Sequence, residues 1–144
     1  MIAANEIRKG NFFNVPNEKQ CPFRVDEIEH LFGTFGKFGQ HNKDGFGHPL
    51  TWNLEDLSPI PLTDEWLLKL GFLTITDKVY SKKCNGVSLV FYPTSNDMFP
   101  CQLERWELDK NEPTDIIILR ETNFVHQLQN LFWALCGQEL ETTP

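Results

Sequence analysis

His126 stands in the stretch "NFVHQLQNLFWALCGQEL", Asn123 to Leu140, close to Gln127, Gln129, Asn130 and Trp133. An imidazole can act as a general base when a nucleophile lies within reach and a third group orients it. No serine or cysteine stands at a readable spacing from His126, and a glutamine cannot orient an imidazole by charge. The glutamines are better suited to bonding backbone carbonyls or strand ends. Glu104 and Glu107 are a second candidate pair for acid–base work. At i, i+3 on a strand they point to opposite faces, so solvated surface charge is the better account of both. Cysteines at 21, 84, 101 and 136 form no C-x-x-C pair and have no histidine at ligand spacing. They read as four mostly buried free thiols in a reducing cytosol, since a zinc site needs close ligand pairs. His41 and His48 read as surface loop residues. The residues therefore assign no catalytic side chain, no metal ligand and no cofactor, and the expectation is a protein that is not an enzyme. A deep pocket where His126 meets a carboxylate would reverse that expectation.

The segment "FGTFGKFGQHNKDGFGHP", Phe32 to Pro49, has five glycines and four phenylalanines. Glycine-rich backbone can cradle phosphate, but the P-loop pattern and its strand–glycine–helix context are missing. Phenylalanines can stack on bases, yet the segment holds only two lysines and one acid. The preferred reading is a hairpin with glycine turns, "KDG" at 43–45 among them, whose aromatics fold back on the core. Phe35 and Phe38 remain candidate anchors for a partner.

The formal net charge is −7. From Gln102 onward eight acids stand against Arg105, Lys110 and Arg120, which leaves −5 there and −2 before it. Such a chain is repelled by phosphate backbones, so nucleic-acid binding is disfavoured. A local basic patch of Arg8, Lys9 and Arg24 in the N-terminal β unit, with the Phe/Gly loop, is the alternative functional reading. The 144 residues contain no apolar run near the roughly 20 needed to span a bilayer, and the first ten residues lack a signal-peptide core.

The elements follow from local patterns. "NEIRKGNFFNV" reads as a turn and a strand, and "FRVDEIEHLF" as a bulged strand, giving a small, bent β unit over residues 1–57. In "SPIPLTDEWLLKLGF", two prolines block an earlier helix, Thr63 caps, Asp64 and Glu65 suit the positive end of the dipole, and Gly71 terminates. Leu62 and Leu67 have the spacing of a hydrophobic staple. Residues 72–119 read as an antiparallel meander of about four strands, with "NG" at 85–86 as a hairpin turn. The run Ile116 to Leu119 reads as a central strand.

A helix near 124–136, which Asn123 can cap and Gly137 can end, covers the meander. Val125, Leu128, Leu131, Phe132, Leu135 and Cys136 share one arc of about 140°. His126, Gln127, Gln129 and Asn130 fall on the other side and are expected to face outward. Trp133 falls there too. It is either covered by the N-terminal unit, as one core would require, or offered to a partner. The class is α+β, one domain over 1–140 with a flexible tail at 141–144.

Three segments, "ANEIRKGNFFN", "SPIPLTDEWLLKLGF" and "VHQLQNLFWALCGQEL", resemble in order and spacing an uncharacterised family of small proteins from phages, prophages and mobile elements of Bacteroidota. That family usually has threonine in place of Cys136 and an aliphatic residue in place of Lys9; Phe32 to Leu57 shows no likeness to it. The resemblance implies a bacterial cytoplasm and no activity. The expectation is thus a cytoplasmic accessory protein that binds a host or phage protein, with Trp133, His126, Gln129, Asn130, Phe35 and Phe38 as candidate contacts and no membrane partner.

Overall fold

The structure is a computed structural model that describes residues 6–15, 23–31, 34–40, 50–76, 78–93, 99–107, 111–119, 121–140 and 142. It is an α+β fold of antiparallel sheets with a C-terminal helix. The chain divides into two compact units. One comprises residues 1–60 with 124–130, the other 61–123 with 131–144.

In the first unit, strands β1 (Phe12–Phe13) and β2 (Phe23–Arg24) pair antiparallel. The Gly10 N–H donates to the Val25 carbonyl and the Val25 N–H to the Asn11 carbonyl, which extends the ladder past the strand ends. Asn14 and Ser58 exchange backbone bonds of 2.9 Å, which ties residue 58 to the end of β1. Alternation sends Phe13, Val15, Phe23 and Val25 to one side, where they form a core with Ile7 and Leu57. Each fully buried phenylalanine contributes roughly 1.5–3 kcal/mol before its ordering entropy is subtracted. A three-stranded sheet follows in the order β3 (Glu27–Leu31), β4 (Thr34–Gln40), β5 (Leu50–Trp52). The Phe/Gly segment thus supplies β4, the second strand of the expected hairpin, with a register shift opposite Glu29 and His30. Residues 41–49, including "KDG", His41 and His48, lie outside the described residues, as does Cys21.

In the second unit, α1 (Asp64–Lys69) begins as its sequence predicts. Thr63 Oγ1 accepts from the Trp66 N–H at 3.2 Å, and Gly71 ends the turn at φ 86°. Leu67 and Leu70 are fully buried. Five strands form an unbroken meander: β6 (Leu73–Thr76), β7 (Val79–Cys84), β8 (Val87–Phe91), β9 (Cys101–Arg105) and β10 (Asp115–Ile118). That is one more than the four expected. Asn85 (φ 49°) and Gly86 (φ 87°) make the β7–β8 turn, where positive φ at both centres matches the twist of the strands. The Ile116–Leu119 run was misplaced by its composition. It belongs to β10, an edge strand, because the meander ends there and only β9 flanks it.

Helix α2 (Val125–Cys136) gives its first turns to the first unit and its last turns to the second. Gly137, at φ 67°, stops it. On the inner face of the five-stranded sheet Cys136 is joined to Cys84 by a disulfide with a Cα–Cα distance of 5.5 Å, and Lys82 Nζ lies 5.9 Å from the centre of the Phe132 ring. The disulfide corrects the expectation of four free thiols. Nothing in the spacing of 52 residues announces that a hairpin end and a helix end meet. Cys101 is a buried free thiol, which burial pushes above its usual pKa. No described helix is long and apolar enough to cross a membrane.

Candidate functional site

The polar arc of α2 does not face outward. His126 and Gln129 are fully buried and Asn130 is half-buried, and all three grip the N-terminal segment of their own unit. Gln129 accepts from the Phe12 N–H at 2.9 Å and donates to the Gly10 carbonyl at 2.8 Å. Asn130 donates to the Glu6 carbonyl at 2.6 Å and accepts from Arg8 Nε at 2.9 Å and from Asn11 Nδ2 at 3.0 Å. Arg8 also reaches the Gln129 carbonyl, at 3.1 Å. A primary amide has both donor and acceptor, so Gln129 can serve a strand end that β2 leaves half-paired. These side chains are therefore a clasp, and three of the candidate contacts are used up inside the fold.

His126 sits in the same clasp. Its Nε2 lies 3.3 Å from Glu6 Oε2, its ring is 5.0 Å from that of Phe13, and Nδ1 has no hydrogen-bond partner among the described residues. Burial lowers its pKa, opposed by the hydrogen bond to Glu6 and by its charge. The carboxylate partner is present, but no pocket accompanies it and no nucleophile is bonded to the ring. Phe35 and Phe38 lie on β4; their side chains are outside the described residues.

Trp133 is 44% exposed, so the N-terminal unit does not bury it. Larger apolar exposure occurs on the outer face of the five-stranded sheet. There the register aligns Ser88, Glu104 and Ile116 in one row and Val90, Gln102 and Ile118 in the next. Ile116 and Ile118 are 52% and 82% exposed. Beside them Tyr92 (39%) and Trp106 (48%) show their rings to solvent.

Both rings are held from beneath by Glu104, whose side chain is buried. Its Oε2 accepts from the Tyr92 hydroxyl at 2.5 Å and from Gln102 Nε2 at 2.6 Å; its Oε1 accepts from Trp106 Nε1 at 3.0 Å. Burial, with the bond to Glu104 and its charge, pushes the Tyr92 hydroxyl up to about 12, so it stays a donor at every physiological pH. Glu104 is thus not the solvated charge its sequence suggests. Three donors satisfy it, and the two aromatics are fixed by their polar ends. Trp106 also borders a shallow depression with Lys83, Val87, Ser88 and Glu107. The signal for this site was present as the alternation of Gln102, Glu104 and Trp106, one face of a strand, but only the pairing brings Tyr92 to it.

No set of three or more His, Cys, Asp or Glu residues among those described could hold a metal ion. Comparison with protein-family models, with curated proteins and with solved structures returns no match.

Proposed function

We propose that the chain is a non-enzymatic protein-binding module whose contact surface is the outer face of the five-stranded sheet at β8, β9 and β10. One observation carries the reading: Tyr92 and Trp106 are exposed yet locked on buried Glu104, next to bare Ile116 and Ile118. Aromatic anchors dominate protein interfaces, and anchors already immobilised lose little entropy on binding. The resemblance to phage and mobile-element proteins supplies the setting, an accessory protein in a bacterial cytoplasm. The nucleic-acid reading loses two of its three cations. Arg8 is bonded to α2 residues of its own unit and Arg24 to Asp26 at 2.8 Å, while the net charge stays at −7.

The test is capture from bacterial lysate with the wild type, a Trp106→Ala/Ile118→Ser variant and a Trp133→Ala variant. Specific partners are expected with the first and third and lost with the second. Unchanged partners on the second variant refute the surface.

A further inference from the structure

Strand β10 is unusual for an edge. It carries three consecutive isoleucines, 52%, 59% and 82% exposed, with no proline, no charge among them and no shift in its register with β9. Edge strands are normally blunted by one of these devices, because an open row of N–H and C=O groups pairs with whatever strand arrives. The opposite edge of the sheet, β6, has such a device: its pairing with β7 shifts between Thr74 and Thr76. Only the β10 edge combines a straight register with bare apolar side chains on both faces, Ile116 and Ile118 outside and Ile117 inside.

The hydrogen-bond phase fixes which groups are open. Leu119 N–H donates to the Cys101 carbonyl, in register with Ile118 opposite Gln102. Antiparallel ladders alternate bonded and non-bonded residue pairs, so residues 115, 117 and 119 point their backbone groups at β9. The N–H and C=O of Ile116 and Ile118 therefore point away from the sheet. An incoming antiparallel strand must present two outward-pointing residues at the same spacing, with apolar side chains at three successive positions.

Resting on the protein-binding reading, we propose that the partner at this edge is a second copy of the chain, joined by antiparallel β10–β10 pairing about a two-fold axis through Ile117. In that register Ile116 lies opposite Ile118 of the other copy, and Ile117 lies opposite its own counterpart. Four backbone hydrogen bonds form, two from each copy. Every pair among the isoleucines is Ile–Ile, the β-branched match that favours sheet pairing. Asp115 meets Leu119, so no like charges stand opposite each other. Shifting the register by two residues, which keeps the hydrogen-bond phase, leaves isoleucines facing other residues; this choice alone pairs all three. The contact is isologous and closes, so it gives a dimer and not a fibre. The two outer faces then join into one surface with a Tyr92–Trp106 pair on each half. Two acidic chains repel one another, so the dimer is expected to strengthen as salt screens them.

Sedimentation equilibrium of the full chain, from low to several hundred micromolar and at low and high salt, gives the stoichiometry. The wild type is expected at twice the monomer mass and Ile118→Lys, which alters an exposed side chain alone, at the monomer mass with unchanged thermal unfolding. Register is read by oxidising single-cysteine variants in a chain whose Cys21 and Cys101 are alanine. Facing residues of a non-bonded antiparallel pair have Cα atoms about 4.5 Å apart, within disulfide range. Ile117→Cys is expected to cross-link to itself at least tenfold faster than Ile116→Cys. A wild type that stays monomeric at every concentration and salt overturns the dimer. So does a dimer whose cross-linking does not favour position 117. A monomer that still captures a foreign protein through β10 overturns the second copy as partner and leaves the protein-binding reading standing, whereas a dimer without lysate partners does the reverse.

Discussion

Breaking the Cys84–Cys136 bond is expected to cost the second unit about 4 kcal/mol. The figure follows from the length of chain enclosed. Cross-linking residues 52 apart removes loop entropy from the unfolded chain worth about 14 cal/mol/K, or about 4 kcal/mol at 25 °C. The bond joins the end of β7 to the last turn of α2, and Asn85 Nδ2 donates to the Cys136 carbonyl at 3.2 Å, so the same contact loses a hydrogen bond if the helix end lifts. The assay is urea unfolding followed by tryptophan fluorescence, with and without reductant. Trp66, Trp106 and Trp133 belong to the second unit, so the signal reports mainly on it. With a slope of about 2 kcal/mol per molar urea, the midpoint falls by about 2 M. A Cys84→Ser/Cys136→Ser variant should match the reduced wild type and be insensitive to reductant. Alkylation in denaturant should modify two more thiols after reduction than before. An unchanged thiol count, or a midpoint that reduction does not move, refutes the reasoning.

Gln129→Ala strips two bonds from the β1 segment and leaves the buried Phe12 N–H and Gly10 carbonyl without that amide; a loss of about 2–4 kcal/mol is expected in equilibrium unfolding, with faster hydrogen exchange at Phe12. His126 has its pKa lowered by burial, so the fold favours the neutral ring. Its contribution to stability is complete above the unfolded value near 6.5 and is lost as pH falls from there through the lower folded value; the thermal midpoint should drop over that window, and less so in His126→Gln. The Tyr92 hydroxyl, raised to about 12, should show no tyrosinate absorbance below pH 11, and Tyr92→Phe should leave Trp106 less rigid in fluorescence anisotropy.

Where a stretch of sequence carries its own stop and start signals, its structure was legible. Thr63, Asp64 and Gly71 delimit α1, the Asn85–Gly86 pair makes its hairpin, and the spacing of Phe132 and Cys136 puts them on the sheet side of α2. What failed depends on partners remote in the chain. The apolar arc of α2 predicts that its opposite side is wet, but a second unit supplies Glu6, Arg8, Gly10 and Asn11 to meet it, so amides that look like surface become interior. The isoleucine run of β10 looks like a core strand because composition reports apolarity and not position in the sheet order. Glu104 looks solvated because its three donors, Tyr92, Gln102 and Trp106, converge only when β8 and β9 pair. Cysteine spacing is silent on a bond that depends on where a hairpin and a helix end.

The clasp on α2 has a consequence for how this chain comes into being. Residues 124–130 complete the first unit, yet a ribosome delivers them only after the whole meander has left the exit tunnel. The portion made earliest must wait, with Phe12 and Gly10 unanswered by Gln129, while the portion made later can already assemble its strands. A fragment cut after residue 60 repeats that waiting state permanently and should bind a synthetic peptide of residues 121–140 that an Asn11→Ala copy of the fragment binds less tightly.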